Sequence, residues 1–334
     1  MAEGLVAETA APTPERPVFG QPVRGLKLIS GYASSIGLHF DHEFATAVQV
    51  DVSGEIVAYE TERMSAEEPE TAVELLARLF GRVHDGPRRP ARLLGVGVSA
   101  MGPVNHERGA VSQSVLYPAW RDFAFGDRLS GAIGHDVLLA INGAAAGLGE
   151  YWFGCGDRLH NFIYAFVGYG LGGALIINRR VSRGLFGNAG EIGHINVRPE
   201  GELCFCGARG CLETVASLRG LARFLGKSAA EDVDFETPGL IESKAVRDWI
   251  AAAGDDLGRA MVSVSNIIDV PDVVVTGLLP DAVLDPLIAR ARLAAADNQI
   301  KARPRLVTLT KASAPPGLVA ALGAATIPLY NNLF

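Results

Sequence analysis

An α/β fold of two related lobes facing each other across a cleft is predicted by three features of the sequence. Short β-type runs are followed by alternating helix and strand, and that order occurs twice. A tight-turned meander opens the first half, and a Gly-linked strand pair opens the second. The chain has 334 residues, 49% of them hydrophobic and 20% charged, which is ordinary for a globular protein and enough for two cores.

Residues 1–25 are rich in Pro, Glu and Ala without a period, which predicts an arm or linker. SSIGLHFD, FATAVQVDV and EIVAYETE read as three strands, with VSG as the tight turn between the last two. Val73, Leu76, Leu79, Phe80 and Val83 share one helical face. RLLGVGVS and HDVLLAIN are buried strands on either side of a helix near Gly126–Ile133. These elements make an N-terminal lobe over 26–142. The second lobe, 143–317, begins with the strand pair NFIYAFVGYG and GGALIINRRV. It continues through a long helix over about Glu242–Ile268, the strand DVVVTG, a helix around Ala282–Ala296 and the strand RLVTLT. A last helix, within 318–334, is expected to complete the first lobe.

The net charge of −7 argues against a global electrostatic footprint for nucleic acid. The first 25 residues contain no apolar core of a signal peptide. The most apolar run, Phe162–Ile177, is interrupted by glycines and is shorter than the roughly 20 residues a membrane helix needs. A cytoplasmic protein is expected. Three of the four cysteines fall within eight positions, in GHINVRPEGELCFCGARGCLE, which does not resemble a secreted disulfide framework.

His194, Cys204, Cys206 and Cys211 supply the four N/S ligands of a tetrahedral zinc site, with Gly201, Gly207 and Gly210 available for the tight turns between them. The competing reading is a set of buried, unliganded thiols. A polar, Gly-rich setting favours zinc. A closed Cys₃His shell leaves no position for a reactive water, so the predicted metal is structural.

GEIGHINV followed by GELCFCGARGCLE resembles the signature of the ROK family of repressors, open reading frames and sugar kinases. The resemblance extends over about residues 30–330: GYGLGGALIINRRVSRGLFGNAGEIGH is similar to the second phosphate segment and sugar motif, and AINGAAAGLGEYWFG to the interdomain segment. It implies an actin-like ATPase fold, a sugar ligand, and a homodimer or homotetramer. It further implies that Glu191, His194 and Glu213 contact sugar hydroxyls, with Asn142 at a strand end and Gly102, Pro103 and Val104 closing the other side. Carboxylates suit that task because they accept hydroxyl hydrogen bonds strongly. Other readings are a helix-dipole carboxylate for Glu213, a solvated loop charge for Glu191 and an N-cap for Asn142.

The phosphate machinery departs from the family pattern. Gly143 occupies the position of the kinases' aspartate base, and the nearest acids are Asp136 and Glu150. His39 replaces the first-loop aspartate, and Asp41, His42 and Glu43 replace its Gly-Gly-Thr turn. Acidic side chains there repel a triphosphate. Tyr169 replaces a threonine, and Leu278 a glycine. Gly170, Gly172, Gly173 and Gly277 remain as degenerate nucleotide loops, although GYGLGG also reads as a hairpin turn. ATP and Mg²⁺ are therefore not expected to bind. The pattern resembles the family's repressor branch, with a sugar-sensing module and no catalytic residue. DNA binding would require a winged helix upstream of Met1. The alternative is a sugar or N-acetyl-amino-sugar kinase whose base is His39 or Asp41.

Overall fold

The computed structural model describes residues 5–10, 24–41, 43–64, 68–87, 90–105, 110–111 and 118–333. His42 lies outside them. Two five-stranded sheets dominate. The first contains β3 (Ser34–Phe40), β4 (Phe44–Asp51), β5 (Ile56–Arg63), β6 (Leu93–Ala100) and β9 (Val137–Ile141), in the order β5-β4-β3-β6-β9. The second contains β10 (Phe162–Val167), β11 (Leu171–Ile177), β12 (Arg180–Val181), β13 (Asp272–Gly277) and β14 (Thr308–Lys311), in the order β12-β11-β10-β13-β14.

Each sheet begins as an antiparallel meander of three strands and adds two parallel strands beside its first. The strand order is the same in both, so the repeated grammar of the sequence is a repeated topology. The inner parallel strands β6 and β13 are nearly continuous apolar runs, as strands covered on both faces must be, whereas β14 at the sheet edge, TLTK, is largely exposed.

Helix α1 (Pro69–His84) packs the predicted face, with Val73, Leu76, Leu79, Phe80 and Val83 buried. Pro69 starts it without losing a helical hydrogen bond. Helix α2 (Phe125–Ile133) comes next, and α5 (Lys244–Ile268) and α6 (Asp281–Asn298) cover the second sheet. The final helix α7 (Val319–Leu333) lies on the first sheet, where Ala321, Leu322 and Ala325 pack with Val48 and Val50. A side chain at Gly37 or Gly97 would run into the carbonyl of Ala321 or Ala324, so these strand glycines let the α7 backbone approach.

Three local features differ from the sequence reading. Val6–Ala10 (β1), inside the segment read as an arm, pairs antiparallel with Arg24–Leu28 (β2). Asn142–Glu150 is a helix, α3, continued by a π-helical turn over Tyr151–Cys155. Its glycines lower local helix propensity by about 1 kcal/mol each, but Gly149 also makes room for the backbone of α7 at Val319. GGALIINRRV is two strands, because Asn178 and Arg179 adopt positive φ (51° and 67°) and turn the chain between them. Among the described residues, the short elements also include β7 (Val104–Asn105), β8 (Ala110–Val111), α4 (Leu218–Phe224) and single 3-10 turns at Pro118–Trp120, Ile192–His194, Leu212–Thr214 and Ala230–Asp232. Among the described residues, no helix is long and apolar enough to cross a membrane.

Candidate functional site: a thiol–imidazole loop beside a carboxylate pair

The ligand atoms of His194, Cys204, Cys206 and Cys211 all lie within 4.8 Å of one another. Cys204 Sγ is 3.7 Å from His194 Nδ1, and Cys206 Sγ is 3.7 Å from Cys211 Sγ. Tetrahedral zinc with bonds of about 2.0–2.3 Å sets its ligands roughly 3.4–3.8 Å apart, so the donor set and these spacings fit that ion. The loop is built by local backbone pairing. The Cys204 N–H donates to Ala208 at 2.7 Å, Gly207 donates back to Cys204 at 3.0 Å, and Leu212 donates to Ile195 at 2.8 Å. Gly210 sits at φ +68° against the Arg198 carbonyl, where a side chain has no space.

Two of the thiols are harder to ionise than a free cysteine. Burial, then the neighbouring cysteines, push Cys211 up to about 12, and burial raises Cys204. Burial also lowers His194. A neutral imidazole is the form that ligates metal, and cation binding is what makes buried thiols thiolates.

The other ring nitrogen of His194, Nε2, is 3.8 Å from Glu191 Oε2. Gly102, joined to Pro103 by a cis peptide, faces the same carboxylate, since a Cβ there would lie 3.4 Å from Glu191 Oε1. Asn188 holds this loop in place, accepting the Val104 N–H at 2.9 Å and donating to the Val104 carbonyl at 3.0 Å. Displaced water raises the Glu191 carboxyl.

Glu213 is buried and accepts the Leu171 N–H at 3.0 Å. Burial pushes its carboxyl up to about 7, the Leu171 amide and the Arg219 charge oppose the shift, and Glu191 adds to it. The helix-dipole reading of Glu213 fails, because α4 begins only at Leu218 with Ser217 as its cap. The N-cap reading of Asn142 fails too. Asn142 is the first helical residue, and its side chain binds Ser99 Oγ at 2.7 Å and the Phe40 carbonyl at 3.3 Å.

The positions assigned to phosphate are filled from within. A Cβ at Gly143 would fall on the carbonyl oxygen of Gly173 and within 2.8 Å of its amide nitrogen. Helix α3 therefore starts with its backbone against β11. In the first loop, Asp41 Oδ1 accepts the N–H groups of Glu43 and Phe44, both at 2.8 Å. Burial raises the Asp41 carboxyl, but His39 and those two amides outweigh it and leave it lowered.

The Tyr169 hydroxyl donates to Glu43 Oε2 at 2.6 Å, tying the turn between β10 and β11 to the first loop. GYGLGG is thus a hairpin turn joining β10 and β11. Its Gly170 leaves room for the Glu213 carboxylate, and Gly173 for Ile192 and the Gly190 carbonyl, while Gly172 lies near the Gly143 Cα. Gly277 makes room for the Val167 backbone at the end of β10, and the Leu278 N–H donates to the Val167 carbonyl at 2.9 Å.

Of the two nearest acids, Asp136 is exposed just before β9, at the strand end opposite Asn142. Glu150 is fully buried and accepts the amides of Ser313 and Ala314, each at 2.9 Å. Sequence reasoning missed Ser99, Asn188 and Arg219. Ser99 and Asn188 meet partners 43 and 84 residues away in the chain, and the effect of Arg219 on Glu213 depends on how the turn between them folds.

A duplicated sheet topology with an imidazole–thiol loop and two carboxylates beside its glycine-lined turns defines an actin-like ATPase fold. The chain belongs to the ROK family, whose family model matches residues 37–325. It is 34% identical over 205 residues to a glucokinase of Halalkalibacterium halodurans, covering 55% of this chain and 61% of that protein. It is 29% identical over 272 residues to the xylose repressor of Caldicellulosiruptor bescii, covering 75% of this chain and 67% of the repressor. A solved ROK family transcriptional regulator, a homolog of the E. coli MLC protein, superposes with a TM-score of 0.77 at 22% identity, over 99% of this chain and 86% of its own. That last likeness is one of fold.

Proposed function

We propose that this chain binds a neutral sugar in its cleft and works as a sensing module of repressor type, without phosphoryl transfer. One observation carries the reading: Gly143 is packed backbone to backbone against Gly173, which leaves no space for a catalytic carboxylate at that position. Transfer from ATP needs a base on the accepting hydroxyl and open amides for the phosphates. Here the amides of Glu43 and Phe44 already bind Asp41.

His39 does not replace the base, because one ring nitrogen meets Ser99 at 3.1 Å and the other faces Asp41 at 3.7 Å. Glu191, His194, Glu213 and Asn142 supply acceptors and donors for hydroxyl groups, with Gly102 at the rim. His194, Cys204, Cys206 and Cys211 hold a structural zinc that fixes His194 and, through the turn after Cys211, Glu213. Sugar binding would act by favouring one arrangement of the lobes over another, to the extent of its differential affinity for them.

A second reading, an ATP-dependent sugar kinase, is favoured by the glucokinase relatives. Two measurements separate them: the heat of binding for a panel of hexoses, pentoses and N-acetylhexosamines, and ADP release with Mg-ATP. Binding without turnover is the expected result. Sugar-dependent turnover that disappears in His39→Ala or Asp41→Ala overturns the sensor reading.

A further inference from the structure

Four side chains at the ends of β3, β6 and β9 form one line of polar contacts: Asp41, His39, Ser99 and Asn142. Ser99 is fully buried in the middle of it. Its single hydrogen goes to Asn142 Oδ1 at 2.7 Å, because a carboxamide oxygen only accepts. Ser99 Oγ must then accept the contact with His39 Nδ1 at 3.1 Å, which places a proton on Nδ1 of the imidazole. The other nitrogen, Nε2, faces Asp41 Oδ2 at 3.7 Å. On its far side, Asn142 Nδ2 donates one hydrogen to the Phe40 carbonyl at 3.3 Å.

These contacts determine which way round the carboxamide sits. A side-chain amide turned by half a rotation keeps its shape, so shape alone does not orient it. Here a half-turn would set the Asn142 oxygen against the Phe40 carbonyl, acceptor against acceptor. It would also turn the Asn142 N–H₂ toward Ser99 Oγ, which a His39 protonated on Nδ1 already occupies as donor, so the flipped amide forces the imidazole into its other tautomer. The orientation left standing gives a ligand one N–H and one oxygen lone pair of Asn142.

We propose that Ser99 and His39 are positioning residues of the sugar site: they hold the Asn142 carboxamide in one orientation, so that its remaining N–H is presented to a sugar hydroxyl oxygen. The inference rests on the proposed sugar site, and it gives His39 a role other than that of a base. Ser99 acts through Asn142 and has no independent contact with ligand. Its contribution therefore disappears once Asn142 is gone.

The test is a double-mutant cycle read by calorimetry on the full chain. The titrants are D-glucose, D-xylose, N-acetyl-D-glucosamine and N-acetyl-D-mannosamine, and zinc content and melting temperature are followed in every variant. Ser99→Ala is expected to weaken the sugar that binds by about tenfold, the scale of one lost hydrogen bond. Asn142→Ala should weaken it at least as much, and Ser99→Ala with Asn142→Ala no more than Asn142→Ala alone.

His39→Asn, which keeps a donor near the Nδ1 position, should bind as wild type does, whereas His39→Leu should behave like Ser99→Ala. The His39 pair carries the test if Ser99→Ala does not fold. No heat from wild type with any of the four sugars overturns the sugar site and this inference with it. Wild-type binding that Ser99→Ala and His39→Leu leave unchanged overturns the positioning role alone. Losses from Ser99→Ala and Asn142→Ala that simply add also overturn it.

Discussion

Placing an aspartate at position 143 restores the residue that the kinases of the family carry there, and the packing around that position sets the outcome. A Cβ at 143 overlaps the Gly173 carbonyl oxygen and reaches within 2.8 Å of its nitrogen, against ordinary contacts of about 3.5 Å. Relief needs a shift of the order of 1 Å between α3 and β11. Neither partner is free to move. Gly173 is backed by Ile192 and Gly190, and α3 by α7 through Gly149 and Gly323.

Overpacking of this kind costs about 1–3 kcal/mol. Replacing a helical glycine regains up to about 1 kcal/mol, and an acid in the first turn adds about 0.3–1 kcal/mol in favour of folding. The net expectation for Gly143→Asp is a loss of about 1 kcal/mol, or about 2 °C in a chain of this size. No sugar-dependent ADP release should appear in a coupled assay with Mg-ATP. Gly143→Ala carries the same Cβ without the carboxylate and should lose stability as well. Gly143→Asp as stable as wild type, or one that turns over ATP when sugar is added, refutes the steric argument.

Three further outcomes are expected. Cys206→Ser should lose stoichiometric zinc and much of the stability, because metal binding contributes to folding free energy; unchanged metal content on elemental analysis removes the zinc assignment. Glu191→Ala should keep its zinc and lose sugar affinity by about tenfold or more, since charged acceptors make the stronger hydrogen bonds; retained affinity takes Glu191 out of the site. Tyr169→Phe deletes the hydroxyl bound to Glu43 and should loosen the tie between the loops by about 1 kcal/mol, seen as faster hydrogen exchange over 168–171. Unchanged exchange there shows that the tie contributes nothing.

The secondary elements with strong period, the duplicated order of strands and the thiol–imidazole loop, and with them the family, are all legible along the chain. These are properties of near neighbours along the chain. The face of α1 repeats every turn, and His194 to Cys211 spans one loop whose short backbone bonds bring its donors together. Where local preference is weak, the element is not legible in the sequence: α3 contains Gly143, Gly147 and Gly149, which offset its alanines, and its backbone packs directly on α7 through Gly149.

What the candidate residues touch depends instead on contacts between distant segments. Glu213 takes the amide of Leu171, and Glu150 is committed to Ser313 and Ala314. Asn142 is oriented from Ser99 and Phe40, both far from it in the chain. Gly143 is the clearest case. Its sequence position says only that no carboxylate is present, whereas the contact with Gly173 says that one enters only by pushing the backbones apart, because two segments distant in the chain meet where a side chain would have to go.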